Sequence, residues 1–541
     1  MGETIRQSDD VQMYTPYDHA LDEVFLANGV ARPEAEILSS VVTGLGSQTL
    51  IDRARMRDAI LNAQGITFTL SGRERPLPLD LIPRIIDSNS WAVIEAGVAQ
   101  RIRALELFLA DVYGPGHILS DGVVPRALVT SSAHFHREVF GVTSPNGVRI
   151  HVAGIDLVRD QQGTFRVLED NLRCPSGVSY VLENRRTLAH VLPEVFEGHR
   201  VRPVQEYPEK LIAALRASAP HGIVDPNIVV LTPGVHNSAH FEHAFLARRM
   251  GVELVEGRDL YCRDGSVYMR TTRGARPVHV VYRRIDDDYL DPVHFKPDSV
   301  LGVPGIINAA RAGAVTIANG VGNGVADDKA FYPHVPAVIE YYLGEKPILQ
   351  NVETFDLTDP DQLVHVIGNI DGMVLKPVDG SGGYGLMVGS QATDEEKHEA
   401  IVKAQLNPRG WIAQPILGLS TSPTVTSDGT LAPRHIDLRP FAVNDGQNIY
   451  VMPGGLTRVA LVEGSLVVNS SQGGGSKDTW VLDDESVEQI QAPMITEPPR
   501  VAVPIPSVGE KLPPRQSGPN ASDDHRLRQQ EEQQQQGELP C

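Results

Sequence analysis

Two hydrophobic periods divide the chain. Up to about residue 130, apolar side chains recur at three- and four-residue spacing. Pro33 and Glu34 open a run through Glu36, Ile37, Val41 and Val42. Trp91 to Tyr113 carries Ile94, Val98, Ile102, Leu105, Leu109 and Val112. Both stretches predict helices, and Gly114-Pro115-Gly116 stops the second. Between them, Ile66 to Leu70 alternates as a short strand does. From Val148 the period becomes two. Arg149 to Val158 predicts a strand, Gln161-Gln162-Gly163 a hairpin turn and Thr164 to Glu169 the return strand. From about 205 to 345, β runs (Asn227–Leu231, Val252–Val255, Val278–Tyr282, Ala314–Ala318) alternate with helical pattern. Phe241 to Met250 is one such helix, stopped by Gly251. That order predicts an α/β domain with a parallel sheet and loops at its strand ends open to ligands. Residues 346 to about 482 read as mixed and strand-rich.

The chain therefore reads as five segments. These are a mostly helical N-terminal region (1–145, suited to packing or dimerisation), a β-hairpin segment (146–204), an α/β domain (205–345), a strand-rich domain (346–482) and a tail (483–541). The Pro-rich and Gln-rich tail has too little apolar content to pack and is predicted to be disordered.

With 541 residues, 41% of them hydrophobic, two to four domains with real cores are expected. A net charge of −20 argues against a general nucleic-acid binder, which needs clustered cations, but not against a nucleotide site. Cys174, Cys262 and Cys541 make neither a disulfide framework nor a zinc pattern, and a reducing cytoplasm is their simplest setting. No apolar run has bilayer length and the N-terminus lacks a signal-peptide core. A soluble cytoplasmic protein without a membrane partner is expected. The sequence leaves open whether it forms a homo-oligomer.

Four stretches carry candidate chemistry. In Gly372 to Gly389, an apolar run ends on Lys376, and Gly380-Ser381-Gly382-Gly383-Tyr384-Gly385 leads into a second apolar run. Glycines let backbone amides approach phosphate oxygens, and the lysine adds a mobile charge. The string matches G-x-G-x-x-G, but a strand follows rather than a helix, which disfavours a dinucleotide-dependent oxidoreductase. A glycine hairpin without a ligand is the plainer alternative. In the hairpin, pairing would bring Asp156 near Glu169, with Asn171 on the same face as Glu169. These oxygen donors suit Mg²⁺, although a solvated acidic edge would look the same. In RHIDLRPF, Asp437 and Arg439 would share a strand face, with Arg458 further on. Arginines there suit charge on a transferring phosphoryl group, or make a surface ion pair. Finally, Trp411 to Leu417, with Gln414, Pro415, Ile416 and Leu417, could receive a base in an apolar hinge.

Taken in order, Lys376, the glycine loop, Gln414-Pro415, the DLR strand and Arg458 resemble the ATP-grasp superfamily. In ordinary members, Glu-x-Asn metal ligands come last. Here Asp156 and Glu169-x-Asn171 lie upstream, an arrangement similar to the circularly permuted type 2 group, whose relatives include glutathionylspermidine synthetase. RVLEDNLRCPSGVSYVLENR, YRRIDDDYLDP, GVPGIINAARAGAVTIANGVGNGV and VMPGGLTRVAL are phrases like those of that group.

The resemblance implies an α/β (α+β) multi-domain ATP-grasp fold. It also implies an ATP- and Mg²⁺-dependent ligase joining a small-molecule or peptide carboxylate to an amine or thiol through an acyl phosphate. On that reading Lys376 and residues 380–385 hold phosphates, and Gln414 to Leu417 hold adenine. Asp156, Glu169 and Asn171 bind Mg²⁺, and Arg439 or Arg458 steadies the acyl phosphate. Arg283, Arg284, Asn319 and Asn323 are candidate substrate contacts. Cys174 is expected to be a packing residue, with no amidase module. An ATP-binding but inactive scaffold acting with partner proteins is the alternative.

Overall fold

The hairpin that opens the β-rich half is also the middle of the main sheet. A computed structural model describes residues 14–70, 73–76, 78–379, 385–468, 474–483, 525–530 and 533. In it, Val152–Arg159 and Phe165–Asn171 pair antiparallel. Their turn closes because Gly163 takes a φ of +81°, while Asp160 Oδ1 accepts the amides of Gln162 and Thr164. The sheet has six strands, in the order Gln350–Asn351, Phe165–Asn171, Val152–Arg159, Arg439–Asn444, Ile449–Val459 and Gly475–Lys477. Segments far apart in sequence are thus neighbours; Phe441 pairs with Gly154.

The two faces of this sheet enter two different cores, so its strands read as near-continuous apolar runs. Ile155, Leu157, Val167 and Val451 pack in one core with the buried stripe Trp91, Ile94, Val98, Ile102 and Leu105. That stripe belongs to the helix Ser88–Val112, which is capped at its N-terminus by Asp87 accepting from the Ser90 amide. Val152, Phe441, Val443 and Met452 pack in the other core, with Val181, Leu188 and Val191 of the helix Val178–Val191.

The predicted parallel sheet is present, ordered Thr316–Ala318, Val280–Arg283, Ile228–Leu231 and Glu253–Val255. Its helix His240–Met250 ends on Gly251 at φ +70°. An antiparallel meander, Leu260–Arg263, Ser266–Thr271 and Gly274–Val278, is inserted between its strands; the sequence reading did not anticipate it.

A smaller lobe has its own core of Leu357, Val366, Met373, Leu375, Met387, Ala400, Ala404 and Ala413. Its antiparallel sheet runs Phe355–Asp356, Trp411–Pro415, Met373–Pro377 and Met387–Val388. Helices Pro360–Gly368 and Asp394–Leu406 accompany it. Gly389 must be glycine, because a Cβ there would lie 1.8 Å from the Ile370 carbonyl oxygen.

Two expectations change in detail. The single strand expected through Arg434 to Phe441 is instead two, Leu431–His435 and Arg439–Asn444. Leu438 between them bridges to Leu157, which turns Asp437 and Arg439 inward. Most of the tail lies outside the described residues, but 525–530 and Gln533 are helical and pack against the α/β domain. No helix among the described residues is long and apolar enough to cross a membrane.

Candidate active site

A cleft of about 570 Å³ lies between the small lobe and the hairpin face of the main sheet. That size suits a nucleotide. One wall is apolar: Leu168, Val374, Met387, Pro415, Ile416, Leu417, Leu466, Val467 and Val468. The deep end is charged, with Asp156, Glu169, Lys329, Lys376, Asp437 and Arg458.

Each charged group is positioned by backbone pattern. Asp156 stands directly opposite Glu169 in the hairpin, and Gly154 opposite Asn171, so the three candidate ligands share a face. A register shift between Asp156 and Leu157 gives Leu168 no partner across the ladder. Gly154 leaves room for Arg439, whose Cδ would lie 3.1 Å from a Cβ at that position. Lys376 is carried by the central strand pair of the small lobe, opposite Ile412. Its Nζ donates to Gln414 Oε1 at 2.6 Å, and Gln414 donates onward to Thr354 Oγ1 at 2.8 Å.

Behind the cleft floor is a buried network. Arg439 grips Asp156 with Nε and Nη2, at 2.5 and 2.9 Å. Arg458 donates to Asp156 Oδ2 at 2.7 Å and through Nε to both oxygens of Asp437, at 2.9 and 3.0 Å. None of the four is more than 1% exposed, so the surface ion pair considered from the sequence is instead a buried lattice of charge. Burial opposes the charge on Asp156, but the two guanidiniums hold its carboxyl below the usual range. Burial pushes the Asp437 carboxyl up. Burial also brings the Lys376 ammonium down to about 8, with Lys329 and Arg458 pushing the same way and Glu169 and Asp156 opposing.

The hairpin fits a hard cation. Asn171 Oδ1 is buried without a hydrogen-bond partner among the described residues, although the Asn171 amide nitrogen donates to Asp156 Oδ1 at 3.4 Å. An orphaned oxygen beside two carboxylates is a donor set that Mg²⁺ suits. Among the described residues no three His, Cys, Asp or Glu converge as a cation site; here the third donor is an amide. Lys329 meets Glu169 Oε1 at 3.1 Å.

The other candidates fall differently. Gly380 to Tyr384 lie outside the described residues, whereas Gly385 lines the cleft in a turn with φ +74°. Gln414, Pro415, Ile416 and Leu417 all line it, but the Ile416 amide is used by the Gly372 carbonyl at 2.8 Å. Arg439 does not reach the cleft lining. It stands behind Asp156.

The four proposed substrate contacts are engaged inside the fold and are absent from the lining of the cleft. Arg283 donates to the carbonyls of Asn319, Ile285 and Gly320. Arg284 donates to Pro175 O and Ser176 Oγ and pairs with Glu242 at 3.2 Å. Asn319 donates to the carbonyls of Val152, Leu172 and Arg173. Asn323 donates to Arg149 and Leu172. Their burial tied to backbone carbonyls marks them as supports of loop geometry. Cys174 is a free thiol held up in pKa by burial, as a packing residue is.

Sequence reasoning passed over Lys329 and Thr354, which belong to no motif. Their roles come from the fold bringing the 326–329 and 352–355 segments under the cleft.

Residues 83–460 match the family described as circularly permuted ATP-grasp type 2. The chain belongs to that family. The structure displays the permutation directly, since the upstream Asp156 and Glu169 hairpin pairs with the downstream Arg439 strand. Among family relatives, the uncharacterised protein Rv2411c of Mycobacterium tuberculosis is 59% identical over 466 residues, covering 86% of this chain and 84% of its own. The uncharacterised protein sll0335 of Synechocystis is 48% identical, covering 87% and 98%. A Frankia casuarinae protein provisionally named glutamate–cysteine ligase 2-2 is 44% identical, covering 87% of this chain but 54% of its own. Nearly half of that protein lies outside the match, so its name does not by itself belong to the shared part. The fold is also similar to a solved glutathione synthetase-like effector of Globodera pallida, with a TM-score of 0.52 at 12% identity, covering 81% of this chain and 98% of that one.

Proposed function

We propose that this ATP-grasp protein is an ATP-dependent ligase. It joins a carboxylate to an amine through an acyl phosphate, with ADP and phosphate as products. The observation that carries the reading is the convergence, at one end of an apolar cleft, of Lys376, Lys329 and Arg458 with Asp156, Glu169 and the orphaned Asn171 oxygen. The apolar wall receives the base. Lys376 holds the phosphates, oriented by Gln414. Asp156, Glu169 and Asn171 would hold Mg²⁺, which when bound neutralises charge on the β- and γ-phosphate oxygens. Arg458 faces the charge that develops on the transferred phosphoryl. Arg439 is a positioning residue that fixes Asp156. The acceptor carboxylate attacks the γ-phosphorus and ADP leaves; the amine nitrogen then attacks the acyl carbon and phosphate leaves. The fold resemblance to a glutathione synthetase-like protein and the ligase name of the Frankia relative support the same class.

One observation favours the scaffold alternative. Both oxygens of Asp156 are already taken by arginines, and Glu169 is paired with Lys329. An assay of ADP and phosphate release separates the readings. The protein is supplied with ATP, Mg²⁺ and pools of amino acids, short peptides and polyamines, beside Lys376→Ala and Glu169→Gln. Ligase activity predicts release in at least one pool and a loss of about a hundredfold or more in each variant. ATP binding without turnover in any pool would favour the scaffold. Absence of ATP binding in the wild type would sink both.

A further inference from the structure

In an open α/β sheet, ligands are taken in the crevice outside the carboxyl ends of the strands. Here that crevice follows Leu231 and Arg283, and the C-terminal segment of the same chain fills it. Residues 525–530 and 533 are helical, and Arg526, Gln529, Gln530 and Gln533 recur at the i, i+3, i+4, i+7 spacing of a helix that presents one face to a groove. All three glutamines are buried, at 2% exposure or less.

Each glutamine amide nitrogen donates to a backbone carbonyl of the crevice. Gln529 reaches Asp298 O at 2.6 Å, Gln530 reaches Pro233 O at 2.5 Å and Gln533 reaches Arg284 O at 3.2 Å. Gln529 also accepts from the Val300 amide at 2.7 Å, so its side chain pairs with backbone in both directions. Arg526 pairs with Glu256. Gly234 is the close-approach point, since a Cβ there would lie 2.6 Å from Gln530 Nε2.

We propose that this crevice is a receptor for a glutamine-bearing helical peptide, occupied in cis by residues 525–530 and 533. The side-chain chemistry sets the selectivity. Three carbonyl oxygens face the ligand, so it must bring donors; a carboxylate, which only accepts, is refused. The fit is incomplete, because Gln530 Oε1, Gln533 Oε1 and the neighbouring Arg284 Nε are buried without partners among the described residues. Unmade buried bonds cost the docked state, which suits a segment that detaches. The crevice also adjoins the cleft floor. Arg284 bonds Ser176 Oγ, and Arg439, which holds Asp156, bonds Ser176 O at 3.3 Å. The docking stands independently of the ligase reading.

Hydrogen exchange of the full chain, without ATP, tests the docking. The variants are Gln530→Glu, isosteric but lacking the donor, and Arg526→Glu, which opposes Glu256. In each, the amides of 298–301, 526–530 and 533 should exchange at least tenfold faster than in wild type. A synthetic peptide of residues 521–541 should then bind the Gln530→Glu chain at least tenfold more tightly than the wild-type chain, whose crevice is filled. Unchanged exchange in both variants, or equal peptide binding by the two chains, overturns the proposal. Because no nucleotide is present, that outcome leaves the ligase reading untouched.

Discussion

Nucleotide affinity should depend on pH through one lysine. The Lys376 ammonium is brought down to about 8 from an ordinary 10.5 by burial, with Lys329 and Arg458 beside it. A phosphate set against it restores the charged form. Binding therefore raises the lysine pKa, so affinity is full below the free value and falls as pH rises through it. With a bound value back near 10.5, the free lysine is about 90% charged near pH 7 and about 10% near pH 9, while the bound lysine stays charged at both. The dissociation constant should then rise about tenfold over that range, or about 1.4 kcal/mol. Near pH 8, binding should take up about half a proton, read as the slope of calorimetric enthalpy against buffer ionisation enthalpy. ATP itself loses its last phosphate proton below this range, so it does not mask the effect. Lys376→Arg, charged throughout, should bind with no comparable loss. A wild-type dissociation constant that stays flat from about pH 7 to about pH 9, or an equal fall in Lys376→Arg, would refute the reasoning.

Three further outcomes are expected. Asp156→Asn leaves Arg439 without its bidentate carboxylate in a dry interior and should cost about 3 kcal/mol or more, seen as a lower melting temperature with or without ATP; a shift within error would show that the arginines find other partners. Gly389→Ala drives a Cβ onto the Ile370 carbonyl at 1.8 Å, so the strand pair bearing Lys376 must shift and calorimetry should show ATP binding weakened at least tenfold, although residue 389 does not line the cleft. Arg409 ties the small lobe to the body through Asp328 at 2.6 Å and Leu128 O at 3.3 Å. Because Arg409 is partly exposed, Arg409→Met should loosen the lobe by only about 1 kcal/mol, read as faster exchange of the 128–132 amides and a several-fold weaker ATP affinity.

Local pattern made the elements legible and left their meeting hidden. The alternation at 149–158 and 164–169 is enough to predict the hairpin, but the register set at its turn would put Asp156 opposite Leu168; the bulge at Leu168, which alternation does not show, brings Asp156 opposite Glu169. Spacing likewise exposes the buried stripe of the 88–112 helix. What no window of sequence holds is that Arg439 and Arg458 converge on Asp156, since their strands join the hairpin's sheet from far downstream. The same limit holds elsewhere in the chain. Arg283 and Arg284 are adjacent in the sequence, which shows nothing of the carbonyls, Asp287 and Glu242 that the fold sets around them. Lys329 looked like nothing, because its partner Glu169 is found only across the cleft floor. The tail was read from composition alone, and composition does not register that Arg526, Gln529, Gln530 and Gln533 fall on one helical face.

The permutation sharpens this into a physical statement about the site. Its charged half is divided between strands that begin the sheet in sequence and strands that end it, and Asp156 is the residue on which both depend. With Arg439 and Arg458 both on its oxygens, Asp156 is held charged and aimed while the downstream strands are in register. A misplaced downstream strand would strip it of both guanidiniums, raise its pKa through burial and spoil the oxygen set it shares with Glu169 and Asn171. Correct pairing of the two halves of the chain and assembly of the charged end of the cleft are therefore one event.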